Sequence, residues 1–187
     1  FNPVRYMGLL EIVKESFNDL DKINFLKNFC EESLGKQVII CKDTPGFLGN
    51  RVGVYAIQVA MTEAIKMELS VDESDALYGR PMGLPKIGAF GLYDLIGIDL
   101  MADVLKSFLK ELPTSDVFHE VAKEIPLITH LIKNGYTGRK SKGGFRRINN
   151  KEGKKVLEVI DLKTREYAPS KKIKFNIKEN VSLKDLV

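Results

Sequence analysis

The sequence has few of the residues that metal and disulfide sites require, with only two cysteines and two histidines among 187 residues. Cys30 and Cys41 lack metal-ligand spacing and are too few for a disulfide framework, so we predict no metal site and a reducing compartment. No apolar run approaches the roughly 18–20 residues that span a bilayer, and no basic region precedes an apolar stretch at the N-terminus. These absences predict a cytoplasmic protein without a membrane span and leave the mitochondrial matrix and the peroxisome open. A Gly-x-Gly-x-x-Gly loop after a strand is also missing.

The sequence does have the composition of an ordinary globular protein, with 44% apolar and 29% charged residues. Near its start, Leu9–Val13 and Gln37–Cys41 are short apolar runs that predict strands, and Asn18 or Asp19 is placed to cap a helix between them. This spacing is typical of a crossover between parallel strands. Two parallel strands cannot bury themselves, so we expect residues 1–43 to be the edge of a larger sheet.

Residues 44–147 have the apolar periodicity of helices joined by short connections, which predicts an all-α domain. Ser70 and Glu73 have the spacing of a capping box, and Pro126 is expected to kink the last helix. The first helix is apolar on nearly every side, so we expect the other helices to cover it all round. The predicted helices are Phe47–Met67, Val71–Gly79, Phe90–Leu112 and one from Phe118 that ends at Gly135.

The last part of the chain, residues 148–187, has a different pattern again. Val156–Leu162 alternates well enough for a strand, and Arg165–Tyr167 is expected to pair with it as a hairpin. Pro169–Val187 is rich in lysine and weakly patterned, which predicts a linker. The predicted fold class is therefore mainly α: a helical domain preceded by a short βαβ unit and followed by a β-hairpin tail.

A carboxylate, Glu11, lies in the middle of the first predicted strand, where a charge among apolar residues is costly unless it is paired. A Phe1-Asn2-Pro3 turn precedes it, and Lys42-Asp43-Thr44-Pro45-Gly46-Phe47-Leu48-Gly49-Asn50-Arg51 follows later in the chain. In this order the two segments resemble the 3-hydroxyacyl-CoA dehydrogenases, NAD-dependent enzymes of fatty-acid β-oxidation. That family carries a catalytic histidine two residues before the phenylalanine. We therefore expect the sequence to be a piece of such an enzyme, cut through its active site.

The resemblance implies roles for four residues. It makes Glu11 the carboxylate that orients the histidine general base and stabilises its imidazolium form. It places Asn2 beside the nicotinamide, and it makes Asn50 a donor to the 3-hydroxy or 3-oxo group of the substrate. Lys140 matches the lysine of the family's closing glycine-rich stretch that reaches the bound NAD.

The resemblance also implies the larger context of the chain. It makes residues 1–43 the remnant of an NAD-binding Rossmann domain and residues 44–147 the C-terminal helical domain, with an acyl-CoA substrate and self-association through that helical domain. The extra residues at 84–89 and the tail resemble the multifunctional β-oxidation proteins, in which the dehydrogenase is fused to an enoyl-CoA hydratase. Ser141 and Arg146 depart from the family pattern, which has threonine and tyrosine there. The fragment itself is expected to be inactive.

Two other interpretations stay open at this point. One is the helical domain of another NAD(P)-dependent hydroxyacid or sugar-nucleotide dehydrogenase, and the other is a non-catalytic interaction module. The segment from Arg139 to Lys155 has eight basic residues and one acidic residue. Three interpretations of this segment are open. It could be a solvated loop, a nucleic-acid patch, or a set of cations that face the phosphates of a nucleotide cofactor or of coenzyme A. Because Phe145 is its only aromatic residue, no nucleic-acid partner is predicted. His119 and His130 are interpreted as structural.

Overall fold

The computed structural model describes residues 1, 3–82, 86–151 and 153–174. Two strands and a helix come first, seven helical segments follow, and three strands end the described part. In chain order the elements are β1 (Leu9–Val13), α1 (Leu20–Glu32), β2 (Gln37–Cys41), α2 (Gly49–Lys66), α3 (Val71–Leu77), a 3-10 turn (Arg80–Met82), α4 (Gly88–Ile96), α5 (Ile98–Glu111), α6 (Phe118–Val121), α7 (Pro126–Lys133), β3 (Arg146–Lys151), β4 (Lys154–Ile160) and β5 (Tyr167–Pro169). The predicted fold class is confirmed.

The first unit is the predicted parallel crossover. Strand β1 pairs with β2 in parallel, and Glu11 lies opposite Ile39 in the register. The helix between them begins after Asp19, whose carboxylate accepts the backbone N–H of Asp21 at 2.9 Å. This bond satisfies one of the donors that the first turn of a helix leaves without a partner.

Much of this first unit is apolar and exposed. The large apolar side chains around α1 and β2 are 42–82% exposed, and they are Phe17, Leu20, Phe25, Leu26, Phe29, Leu34 and Ile40. Exposed apolar side chains in such numbers are typical of a surface that another structure covers. The assignment of residues 1–43 to a larger sheet domain stays a prediction.

The hydrophobic core lies in the helical part of the chain. Its fully buried members come from α2 to α7, from the residue before β3 and from β4. They include Met61, Val71, Phe90, Tyr93, Ile98, Phe118, Leu131, Phe145 and Ile160. The expectation that α2 is covered all round is wrong. Val54, Ile57 and Met61 are buried on one side of α2, whereas Val52 on the other side is 60% exposed. The neighbouring helices pack against one face only, so the apolar residues of the other face remain on the surface.

The single helix predicted from Phe90 to Leu112 is wrong, because Gly97 divides it into α4 and α5. Gly97 has φ +117°, a backbone conformation that glycine adopts without steric cost. The backbone N–H of Ile98 then bonds to the carbonyl of Thr137 at 3.1 Å instead of continuing the helix. The loop that carries Thr137 therefore supplies the hydrogen-bond acceptor at the start of α5.

The expected kink at Pro126 is also wrong, since the helix ends and a new one begins there. Helix α6 stops at Val121, and Pro126 is the first residue of α7. Proline suits the first position of a helix because the N–H that it lacks has no partner there. The capping box of Ser70 and Glu73 is confirmed at the start of α3.

The three-stranded antiparallel sheet is more extensive than the predicted hairpin. Strand β4 overlaps the predicted strand Val156–Leu162. Its partner β5 begins at Tyr167, the last residue of the predicted partner strand Arg165–Tyr167. Strand β3 was not expected, because Arg146–Lys151 carries polar and charged residues at most of its positions. It pairs with β4 along its whole length.

The linker predicted from Pro169 is wrong for its first residues. Ser170 donates its hydroxyl to the carboxylate of Asp72 at 3.0 Å, and the backbone N–H of Lys171 bonds to the same carboxylate at 2.6 Å. These contacts attach the chain after β5 to α3. The rest of the predicted linker from residue 175 onward lies outside the described residues. Among the helices of the described part, none combines the length and apolar character that crossing a bilayer requires.

Candidate active site

Glu11 is held at the point where the first unit meets the helical part. Its Oε1 atom accepts two backbone N–H groups, from Leu48 at 2.9 Å and from Gly49 at 2.6 Å. These residues form the start of α2, where backbone donors lack partners within the helix and the helix dipole favours a negative charge. Oε2 accepts no hydrogen bond within the described part of the chain, so it is available to a donor from outside. The strand supplies the carboxylate, and the helix fixes its orientation.

Phe1 lies next to this carboxylate. A Cβ atom on Gly49 would come within 2.4 Å of Cζ of Phe1, so the absence of a side chain at Gly49 lets the ring lie against the helix start. A cavity of about 190 Å³ between β1 and this turn is lined by Phe1, Glu11 and Phe47, among others. Asn50 follows directly in the first turn of α2. The structure thus brings Phe1, Glu11 and the first turn of α2 together.

Asn50 is exposed in the first turn of α2, and its predicted role as a donor to the substrate oxygen stays a prediction. The first turn of α2 extends beyond the helical core, whose first buried contribution from this helix is Val54. Asn2 lies outside the described residues. Its predicted place beside the nicotinamide stays a prediction.

Lys140 lies in another part of the molecule. Its ammonium forms an ion pair with Asp99 at 2.8 Å and lies against Gly97, at the junction of α4 and α5. The lysine side chain is 53% exposed, and the pairing lowers the pKa of Asp99, chiefly through the hydrogen bond from Lys140. This contact orders the lysine without bringing it to Glu11, and its contact with NAD stays a prediction.

The two histidines of the chain belong to the helical part. Nε2 of His119 lies 3.4 Å from the carbonyl of Leu112, and His130 lies beside Asn134 on the last turn of α7. Both contacts are local, which agrees with their interpretation as structural. Neither histidine forms a hydrogen bond with Glu11 in the part of the chain that the structure describes.

A buried cluster of charged residues was missed by the sequence analysis. Arg146 donates to Asp72 and, at 3.0 Å, to Asp75, and all three side chains are at most 22% exposed. Asp94 lies next to them and accepts the backbone N–H groups of Phe145 at 2.8 Å and of Arg146 at 2.9 Å. The sequence did contain a signal for this cluster, namely Asp94 inside the apolar run of α4. An acidic residue on a buried helix face must find hydrogen-bond donors.

Burial determines the electrostatics of this cluster. It raises the pKa of Asp94 to about 6, although hydrogen bonds from the backbone of Arg146 and Phe145 act in the opposite direction. Burial also raises the pKa of Asp75, against the hydrogen bond and the charge of Arg146. The cluster joins β3 to α3 and α4, and its role is to attach the tail to the helical part.

Comparisons with known proteins agree on one family. The model of the C-terminal domain of 3-hydroxyacyl-CoA dehydrogenase matches residues 46–148. The chain is 38% identical, over its whole length, to a putative fatty acid oxidation complex trifunctional enzyme of Rickettsia felis, of which it covers 26%. It is 34% identical to a probable 3-hydroxyacyl-CoA dehydrogenase of Bacillus subtilis, over 93% of this chain and 21% of that protein.

A solved structure gives the same result. The (S)-3-hydroxybutyryl-CoA dehydrogenase of Ralstonia eutropha matches 77% of this chain and 48% of its own, with a TM-score of 0.65 and 29% identity. The chain spans about a quarter of the length of the curated relatives named above. The matched family model covers more than half of the chain, from the turn before α2 to strand β3. The chain therefore belongs to the 3-hydroxyacyl-CoA dehydrogenase family and carries its C-terminal domain.

Proposed function

We propose that the chain is part of an L-3-hydroxyacyl-CoA dehydrogenase that oxidises a 3-hydroxyacyl-CoA to the 3-oxoacyl-CoA with NAD in fatty-acid β-oxidation. The observation that carries the proposal is the carboxylate of Glu11, which the start of α2 holds through one oxygen while the other is free to accept a donor. The names of the relatives support the substrate class, since they include fatty acid oxidation and 3-hydroxyacyl-CoA dehydrogenase enzymes. Self-association through the helical domain and a cytoplasmic location stay predictions.

The geometry suits the removal of a proton from the substrate hydroxyl. Oε2 of Glu11 would accept the ring N–H of a histidine from the longer protein and stabilise the imidazolium that forms when the histidine takes this proton. Asn50, exposed on the first turn of the same helix, would donate its amide N–H to the substrate oxygen. Glu11, bound to the start of α2, and Asn50, in the first turn of the same helix, would then fix the hydroxyl relative to the base.

NAD supplies the hydride acceptor when it is bound. Of the two residues predicted to contact it, Asn2 lies outside the described residues and Lys140 is paired with Asp99. The ammonium of Lys140 is exposed enough to meet an anionic group, but Asp99 already neutralises its charge. The proposed role of NAD therefore depends on family membership, and Glu11 and Asn50 are the residues of this chain that we place in the reaction.

Two substitutions of Glu11 in the full-length protein test the proposal. Glu11→Gln keeps an oxygen that can accept the N–H groups of Leu48 and Gly49, but it replaces the free oxygen with an N–H₂ group that cannot accept an imidazole N–H. We expect turnover of a 3-hydroxyacyl-CoA, followed through the absorbance of NADH, to fall by about 10²–10⁴-fold. The fold should stay intact, with a loss of stability no larger than the about 0.3–1 kcal/mol that a negative charge contributes at a helix start. Glu11→Ala removes both functions, so it should lower turnover and also cost about 0.5–2 kcal/mol of stability.

Glu32→Gln is the matched control, because it makes the same chemical change at an exposed position of α1. Its turnover should equal that of the unchanged protein. Turnover of Glu11→Gln within a factor of three of that control would remove Glu11 from the mechanism. A full-length protein without NAD-dependent oxidation of any 3-hydroxyacyl-CoA would refute the proposed function itself.

A further inference from the structure

Lys36 lies between the end of helix α1 and the start of strand β2, and hydrogen bonds fix the backbone there. Gly35 has φ +62°, the left-handed conformation in which helices commonly end. The backbone N–H of Lys36 then bonds back to the carbonyl of Cys30 at 3.0 Å. The next N–H, that of Gln37, bonds to the carbonyl of Gly8 at 2.8 Å, where β2 begins to pair with β1. The fold therefore sets the point from which the Lys36 side chain extends.

The ammonium of Lys36 binds the turn that precedes β1. In this turn the carbonyl of Pro3 accepts the N–H groups of Tyr6 at 3.0 Å and of Met7 at 3.1 Å. Nζ of Lys36 donates to the carbonyl oxygens of Val4 and Met7, each at 2.7 Å. A cation in this position satisfies carbonyl groups at the end of a helical turn. One side chain thus joins the turn to a segment about thirty residues later in the sequence.

The turn has little packing of its own in the part of the chain that the structure describes. Val4 is 69% exposed, Tyr6 is 78% exposed and Met7 is 38% exposed. Apolar burial therefore contributes little to the position of the turn. Hydrogen bonds from a charged donor are about twice as strong as neutral ones. The two bonds from Lys36 are consequently the main contacts that hold the turn against the start of β2.

This turn leads into the candidate active site. Lys36, Phe1 and Glu11 line the same cavity of about 190 Å³. The proposed function places the histidine base two residues before Phe1, at the other end of the turn from β1. The position of the turn would then set the distance and the angle between the histidine and Oε2 of Glu11. A misplacement of about 1 Å in such a geometry can cost about 10²-fold in rate.

We propose that Lys36 is a positioning residue of the dehydrogenase, which holds the histidine base against Glu11 by binding the turn at residues 3–7. This inference rests on the proposed function, because the histidine belongs to the longer protein. The ammonium is occupied by two backbone carbonyls, so its role is to fix geometry and not to transfer a proton.

Lys36→Met in the full-length protein is the first test, because it keeps a long unbranched side chain and removes the donor. We expect kcat for oxidation of a 3-hydroxyacyl-CoA to fall by about 10–10²-fold. KM for that substrate should change by less than about threefold, since a misplaced base weakens the transition state and not the binding of substrate. Lys36→Arg retains donors for the two carbonyls and should restore kcat to within about threefold of the unchanged protein.

Lys22→Met is the matched control, because it makes the same change on α1 at a side chain that is 85% exposed. Its kcat should equal that of the unchanged protein. Equal kcat values for Lys36→Met and Lys22→Met would overturn the inference. A Lys36→Arg variant as slow as Lys36→Met would do the same.

A double-mutant cycle with Glu11→Gln separates positioning from a general structural role. Once residue 11 cannot accept the imidazole N–H, placing the histidine against it brings little benefit. Lys36→Met should therefore lower kcat by less than about threefold in the Glu11→Gln background. A loss of fold would instead lower kcat by the same factor in both backgrounds, and that result would overturn the inference.

Hydrogen exchange in the 187-residue chain tests the contact itself, without turnover. The backbone amides of Tyr6 and Met7 should exchange at least about threefold faster in Lys36→Met than in Lys22→Met, because the turn is no longer held. Equal exchange in the two variants would overturn the inference even if the enzyme is active. A full-length protein without dehydrogenase activity would refute the proposed function and this inference with it, whereas any of the contrary Lys36 results in an active enzyme would refute the inference alone.

Discussion

Replacing Arg146 by methionine is the perturbation for which the structure gives the clearest magnitude. The change keeps a long unbranched side chain and removes the guanidinium that joins β3 to α3. Asp72 and Asp75, the two carboxylates that face it, are only 7% and 6% exposed. Without Arg146 they would remain buried as unpaired charges or take up protons.

The expected cost follows from what each carboxylate keeps. Breaking a buried pair by removing one partner usually costs about 3–5 kcal/mol. Asp72 keeps donors in Ser170 and Lys171, and Asp75 keeps the backbone N–H groups of Phe90 and Gly91. We therefore expect the lower end, about 3 kcal/mol of the free energy of unfolding.

Urea unfolding of the 187-residue chain, followed by circular dichroism, measures this loss. Lys163→Met is the matched control, because Lys163 is paired with Glu68 on the surface, where both side chains are about two-thirds exposed. An exposed pair contributes about 0–1 kcal/mol. A loss for Arg146→Met no larger than that of the control would show that the cluster does not hold the tail, and would refute the reasoning.

Three other outcomes follow from the same structure. Because burial raises the pKa of Asp94 from 3.8 to about 6, the folded state binds this proton more tightly and the free energy of unfolding should fall as pH rises from about 4 to about 6. Asp94→Asn should remove about 2 kcal/mol of fall between these two pH values, and equal slopes in urea titrations of both proteins across this range would contradict it. Gly144→Ala places a Cβ atom 2.0 Å from Oδ1 of Asp94, so in urea titrations it should lower the free energy of unfolding by more than the about 1–3 kcal/mol that is usual for overpacking. At Gly8, where nothing lies within 4 Å of the added Cβ atom, the same change should leave that free energy unchanged. The exposed apolar face around α1 should make the chain self-associate, and a monomer in sedimentation velocity that binds no apolar dye would disprove this.

Local patterns in the sequence were sufficient for the first unit and for the start of α3. Apolar runs of strand length, a capping aspartate at Asp19 and the box of Ser70 and Glu73 each act within a few residues, so each could be predicted without tertiary contacts. For Glu11, the need for a partner was predictable, because a charge in the middle of an apolar strand is costly without one. Which group pairs with it was not predictable, and the structure shows the start of α2.

Features that depend on distant contacts could not be predicted in this way. Gly97 ends α4 because Thr137 supplies a carbonyl there, and nothing near Gly97 in the sequence reveals that loop. Strand β3 has no apolar alternation, since Arg146 and Arg147 turn towards carboxylates that lie far away in the sequence or on the neighbouring strand. The exposure of Asn50 likewise follows from how far the helical core extends along α2.

The two hydrogen bonds to Glu11 fix the position of the carboxylate relative to the start of α2. A strand from the first unit caps a helix of the second, so the carboxylate has its orientation only after both segments have docked. Any recombination point between β1 and α2 would separate the acid from the turn that orients it. A replacement for the helical part would therefore keep the orientation of Glu11 only if its first helix presented the same two backbone N–H groups to strand β1.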